Sequence, residues 1–228
     1  MSDPADDDAK VRTVAAEIAA TRREAVKALL REGNLAQPVL IWDPPAETLP
    51  TEQLPHLRRH WDALRGADDI PAAAAVLPEE LGPAIGHAIV ADIIRDGLDY
   101  RYRVYGEKVA RSGGIDWTGV TGSEMAARTG LPVGTFYRAA NLAVHDRRRP
   151  LFTLHTAKAR ERSVTWARLS LPLGETAGGT VVRMLVGAVP MDEAPLSFAD
   201  IFAMNARLGF DGAATPGVLP DRPAKGPR

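Results

Sequence analysis

His56 and His60 stand four residues apart, with Glu52 four residues before them. On a helix this spacing puts imidazoles on one face, where they could ligate a divalent metal. A zinc site needs three or four convergent ligands, and Pro55 marks a helix start that need not include Glu52, so a polar helix face is the competing reading. Arg147, Arg148 and Arg149 form a triplet that could grip an anion or a nucleic acid, or serve as a solvated turn. The stretch "DGLDYRYRVYGEKVARSGG" is more distinctive. Its period of two predicts a strand with Tyr100, Tyr102 and Val104 on one side and Arg101, Arg103 and Tyr105 on the other, stopped at Gly106. G-x-S-x-G, G-x-x-x-x-G-K-[ST] and H-E-x-x-H are all absent, and "GGIDWTGVTG" has no strand–loop–helix phosphate pattern. No catalytic residue is assigned, and the reading is non-enzymatic.

Composition narrows the classes further. The chain has 228 residues, which suits one domain with extensions, and 45% hydrophobic residues with four Trp suffice for a core. A formal charge of −1 argues against a nucleic-acid partner, which normally meets a basic excess. With no cysteine there is no disulfide, thiolate metal site, cysteine nucleophile or cysteinyl–flavin adduct. The acidic start "MSDPADDDAKVR" lacks signal-peptide character, and no apolar run reaches the length of a membrane span, so a cytoplasmic, soluble protein without a membrane partner is expected.

The elements follow from periodicity and stops. An N-terminal helix is predicted over 11–31, with Val14, Ile18, Val26 and Leu29 or Leu30 near one stripe, Arg22 interrupting it, and Gly33-Asn34 as the stop. "QPVLIWDPPAETLP" holds a short apolar strand or loop and then paired prolines, and reads as a linker. A helix from Thr51 to about Leu64 presents Leu54, Leu57, Trp61 and Leu64 and ends at Gly66. "HAIVADIIRD" and "DYRYRVYG" form a hairpin across Asp96-Gly97. Residues 107–147 are mostly helical: one short helix spans Ser123 to Arg128 and stops at Gly130, and the next starts at Pro132. "PLFTLHTAKA", "SVTWARLSLPL" and "TVVRMLVGAV" complete a β-β-α-α-β-β-β order, with loops around Arg160–Arg162 and Ala177-Gly178-Gly179. The fold class is α+β: a five-stranded antiparallel sheet with helices on one face. A further helix runs from Ser197 to Gly209 with Phe198, Ile201 and Phe202 on its apolar side, and the Pro/Gly-rich remainder is expected to be disordered. The expected division is 1–50 for an N-terminal helix and linker, 51–190 for the main domain, 191–210 for the C-terminal helix and 211–228 for the tail.

Between Leu54 and Val189 the residues resemble a bacterial PAS-like family of short proteins with one PAS domain and no attached effector enzyme. The resemblance rests on "HWDALRGADDIPAAAAVLPEEL", "YRYRVYGEKVA", "WTGVTGSEM", "YRAANLAVHDRRRPLFTLHTA" and "VTWARLSLPL". Thr118-Gly119 and the helix–Arg149-Pro150–strand junction are the telling points beside the Tyr-Arg-Tyr-Arg strand. "PAAAAVLPEE" departs from the family, which carries a polar Arg/Asp-containing stretch there. The resemblance implies a sensory or adaptor module, with a small molecule held between sheet and helices or signalling through dimer contacts without one.

On that fold the pocket wall is expected from Tyr100, Tyr102 and Val104, facing Phe136, Tyr137 and Ala140, with Trp166 and Met184 from later strands. The same side chains could simply fill a core. Haem-binding PAS sensors carry their axial histidine on the long helix before the third strand; that position falls near Tyr137, while His145 lies at the helix end and His87 and His155 stand alone on strands. The cofactor therefore stays unknown. Both faces of the last strand are largely apolar: Val182, Met184, Val186 and Ala188 on one, Val181, Leu185 and Gly187 with Arg183 on the other. One face needs cover from an N-terminal helix or a second subunit, and a homodimer on the outer sheet face and the 11–31 helix is expected. Output then passes to a separate protein partner. The alternatives are a structural interaction protein with a filled core, a small-molecule enzyme, or a haem sensor.

Overall fold

The computed structural model describes residues 4–22, 24–31, 38–159 and 162–191. The helix expected over Ser197–Gly209, the tail and the Gly33-Asn34 stop lie outside these residues. The helices are α1 (Pro4–Ala19), α2 (Glu24–Arg31), α3 (Gln53–Arg65), α4 (Glu107–Gly113), α5 (Gly122–Thr129) and α6 (Pro132–Arg147). The strands are β1 (Val39–Trp42), β2 (Ala88–Ile94), β3 (Asp99–Tyr105), β4 (Leu151–Ala159), β5 (Arg162–Gly174) and β6 (Val181–Pro190). From β2 onward the order is two strands, helices and three strands, the α+β arrangement expected.

The sheet has six strands rather than five, all antiparallel, in the order β1-β4-β5-β6-β2-β3. The additional strand comes from the segment expected to be a linker, where Val39–Trp42 pairs with Leu151–Leu154. This apolar run, with β-branched Val39 and Ile41 and aromatic Trp42, supplies partners to the open edge of β4, and Pro44-Pro45 prevent it from continuing. Local signals elsewhere act as expected. Arg95, Asp96 and Gly97 all have positive φ in the β2–β3 turn. Thr121 caps α5 in a capping box with Glu124, and Gly130 closes it in the left-handed conformation.

The predicted 11–31 helix is two helices. Thr21, at φ 58, ends α1, and the amides of Thr21 and Arg22 donate to the carbonyls of Ile18 and Glu17. Those two bonds form a Schellman stop in a residue type that rarely adopts it. The break coincides with the place where Arg22 interrupts the apolar stripe.

Register assigns the two sheet faces, because directly opposed residues point the same way. Phe152, Leu169 and Gly187 share the outer face, where Leu54 and Leu57 of α3 pack so closely on Gly187 that a Cβ there would sit 2.6 Å from Leu57. The Trp61 indole adds a 2.8 Å hydrogen bond to the Pro172 carbonyl. Thr153 and Arg168, and His155 and Trp166, face the other way, toward α6. The outer face around β6 therefore receives its cover from α3. Val11, Val14 and Ile18 are buried within the same chain, where α1 packs on α6. Among the described residues no helix is long and apolar enough to cross a membrane.

Candidate functional site

The inner sheet face collects aromatic and polar groups rather than aliphatic ones alone. Tyr100 and Tyr102 both project there, buried, with their hydroxyls 3.0 Å apart and their rings edge to face. The next inward residue is Tyr105, not Val104. A bulge between Val90 and Ala91 of β2 shifts the pairing, so that Ala91 opposes Tyr102 whereas Ile89 opposes Tyr105. The Tyr102 and Tyr105 ring centroids lie 5.1 Å apart, and Val104 is 49% exposed. Strict alternation put Val104 on the wall; the bulge gives its place to Tyr105.

Above the strands, α6 contributes Phe136 and Tyr137. Both rings meet His155 of β4, at centroid distances of 5.1 and 5.2 Å. The Tyr137 hydroxyl is 2.9 Å from His155 Nε2, and the Thr153 hydroxyl is 3.3 Å from Nδ1. Beside them Arg168 of β5 lays its guanidinium 3.9 Å from the centre of the Tyr137 ring, a cation–π contact. Arg168 is 7% exposed, its Nε has no hydrogen-bond partner, and among the described residues no carboxylate pairs with it.

Electrostatics follow from this packing. Burial opposes the Arg168 charge, but Tyr137, Tyr102, Tyr100 and Tyr105 outweigh it and hold the guanidinium pKa above its ordinary value. Burial, followed by the neighbouring Arg168 charge, holds His155 well below the usual imidazole range, so it is neutral near pH 7. Burial pushes the Tyr100, Tyr102, Tyr105 and Tyr137 phenols upward, keeping them protonated donors. The cluster thus holds one permanent positive charge among neutral hydrogen-bonding rings.

Of the pocket residues expected from sequence, Tyr100, Tyr102, Phe136, Ala140, Trp166 and Met184 are buried, and Tyr137 is partly so. Sequence reasoning missed Arg168, Tyr105 and Thr153, and treated His155 only as a lone strand histidine. A signal existed for Arg168: alternation along "TWARLS" places it in phase with Trp166. The other candidates have structural partners. His56 and His60 stack with ring centroids 6.5 Å apart and lean on Glu80, not Glu52, with His56 Nε2 3.0 Å from the Glu80 carbonyl oxygen. His145 Nδ1 lies 2.9 Å from Asp146. Arg147 stacks on Trp42 and donates to the Ala19 carbonyl at the end of α1, while Arg148 binds Asp69 and the Gly178 and Gly179 carbonyls. These two arginines border a groove of about 410 Å³ with Arg149, Asp43, Trp61 and Asp69.

A second buried arginine ties this region to the N-terminus. Arg138 on α6, 1% exposed, pairs with Asp7 and, at 2.7 Å, with Asp8 of α1; its Nε lies 3.7 Å from Asp99. Asp99 in turn accepts a 2.6 Å bond from the Ser123 hydroxyl. Tyr137 and Arg138 are adjacent on α6, as are Tyr100 and Asp99 on β3. Each pair links the aromatic cluster to the clasp on α1.

Comparison with known proteins assigns the chain to no family. No family model matches the chain, and no curated protein matches it. A solved structure of an RNA-binding Light-Oxygen-Voltage receptor is similar at 12% identity with a TM-score of 0.38, over 90% of this chain. The match spans 64% of that receptor's length.

Proposed function

We propose that the protein is a PAS-type sensory or adaptor module of the bacterial PAS-like kind that its sequence resembles. Residues 51–190 form the sensing unit, a small molecule is held between the inner sheet face and α6, and occupancy is reported through α1 to a separate protein partner or a second copy of the chain. The role is binding rather than turnover. The observation that carries this reading is the make-up of the inner face: a guanidinium, an imidazole and phenols occupy a place where a purely structural core is normally apolar. Tyr100, Tyr102, Phe136, Tyr137, Ala140, Trp166 and Met184 are the proposed contact set, with Arg168 and His155 added. Adjacent residues on α6 and β3 reach both the cluster and the Asp7–Asp8–Arg138 clasp, which supplies a route by which a ligand shifts α1.

A filled-core interaction protein is the second reading, favoured by the bonds that Tyr100 makes to Tyr102 and Tyr137 to His155. Extraction of the purified full chain, with absorbance and mass spectrometry, separates the two. A reproducible co-purifying compound whose removal alters protease cleavage of α1 is expected. Ligand-free preparations whose melting responds to no compound in a broad metabolite screen would favour the filled core.

A further inference from the structure

Three arginines are buried among the described residues, and their surroundings differ. Arg138 has Asp7, Asp8 and Asp99. Arg58 has Asp43 at 2.7 Å and Asp62 at 2.8 Å. The half-exposed Arg148 and Arg183 likewise have Asp69 and Asp92. Arg168 has a ring face and no carboxylate. A guanidinium is a planar fork of donors that matches a carboxylate, and desolvating it without an anion is costly. This chain meets that requirement at its other buried arginines and leaves it open at the one on the inner sheet face.

We propose that the molecule held at the inner sheet face is an organic monocarboxylate whose carboxylate pairs with Arg168 and whose apolar body lies against the tyrosine rings. The inference rests on the sensory reading above and names the ligand class for that site. One guanidinium balances one negative charge; a phosphate dianion calls for a second cation, and the inward neighbour, His155, is neutral. The Tyr102 and Tyr137 hydroxyls, bonded to Tyr100 and His155 in this structure, exchange those partners for a carboxylate oxygen on binding, and flat aromatic walls suit an aryl or alkyl body.

The test pairs each acid with its uncharged amide: benzoate with benzamide, phenylacetate with phenylacetamide, 3-phenylpropionate with 3-phenylpropionamide. Calorimetric melting of the full chain is followed by titration. At least one carboxylate is expected to raise the melting temperature and to bind roughly 10- to 100-fold more tightly than its amide. Arg168→Met is expected to abolish that preference while melting near the wild-type temperature without ligand, since loss of the Tyr137 contact is offset by removal of a buried charge that has no carboxylate. Arg168→Lys is expected to keep part of the preference. Amides binding as well as acids would overturn the carboxylate while leaving the sensory reading intact, and so would acids binding equally to Arg168→Met. An Arg168→Met chain that melts far below wild type would overturn the inference too, by showing that the guanidinium serves the fold. Should none of the six probes bind, the carboxylate inference fails, and the extraction experiment then decides the sensory reading by itself.

Discussion

His155 shows how one buried side chain makes the whole fold sensitive to pH. Its ring lies between Phe136 and Tyr137, with hydroxyls at both nitrogens and the Arg168 charge nearby. The folded-state pKa is depressed, whereas the unfolded chain titrates near the ordinary imidazole value of about 6.5. Below that value the unfolded chain takes up a proton that the folded chain refuses. The stability is therefore fully present above pH 6.5 and is lost as the pH falls below it, at up to about 1.4 kcal/mol per pH unit. Urea unfolding between pH 7.5 and 5 should show that slope, and His155→Gln, which keeps hydrogen-bonding capacity without the titration, should flatten it. The remaining histidines are common to both proteins, so an unchanged slope in His155→Gln would reject the assignment.

Elements are joined here by contacts that local propensity does not announce, and Gly106 is the clearest instance. It links β3 to α4 at φ −54, a conformation any residue adopts, so backbone freedom is not why it is glycine. Space is the reason: a Cβ there would press on the carbonyl oxygens of Gly86 and Ala88, 2.8 Å from the latter. Backbone cannot yield as a flexible side chain does, and Gly106→Ala should cost about 3 kcal/mol. Gly119 has φ 84 but open space around it, so Gly119→Ala should cost only about 1 kcal/mol of left-handed strain. Equilibrium unfolding that ranks the two the other way would refute this account. The same distinction governs what could be read from sequence. The hairpin at Asp96-Gly97, the stop at Gly130 and the start at Pro132 were legible because each depends on residues within a few positions. The bulge that exchanges Val104 for Tyr105 was not, since it arises from pairing between two strands. For β1 the sequence left strand or loop open, because its four residues become a strand only against Leu151–Leu154. At the site, alternation and the PAS-like resemblance located the tyrosines and α6, but the missing partner of Arg168 is a fact of three dimensions.

For the whole molecule, the decisive joint is the one that holds α1. At one end Asp7 and Asp8 pair with Arg138, and Asp8 also pairs with Arg95; at the other, Trp42 donates to the Ile18 carbonyl and Arg147 to that of Ala19. The second contact places a cation where the helix dipole is negative. The first is the stronger constraint, because Arg138 is almost wholly buried and loses most of its compensation if the aspartates are neutralised. Burial by itself would raise the Asp8 pKa, but Arg138 and Arg95 outweigh it and leave it below the ordinary aspartate value. Its contribution is thus present above that ordinary value and is lost as the pH falls through the lower, folded-state pKa. Asp7→Asn with Asp8→Asn should release the clasp at neutral pH, costing roughly 3 kcal/mol and speeding hydrogen exchange across residues 4–19. Exchange in β5 and β6, which the clasp does not touch, should change only through global unfolding. If α1 is the output element, the same double variant should also uncouple α1 cleavage from ligand occupancy while leaving ligand affinity largely unchanged. Exchange in α1 that matches wild type would show that the helix is held by its apolar contacts with α6 and by Trp42 and Arg147, and that the clasp transmits nothing.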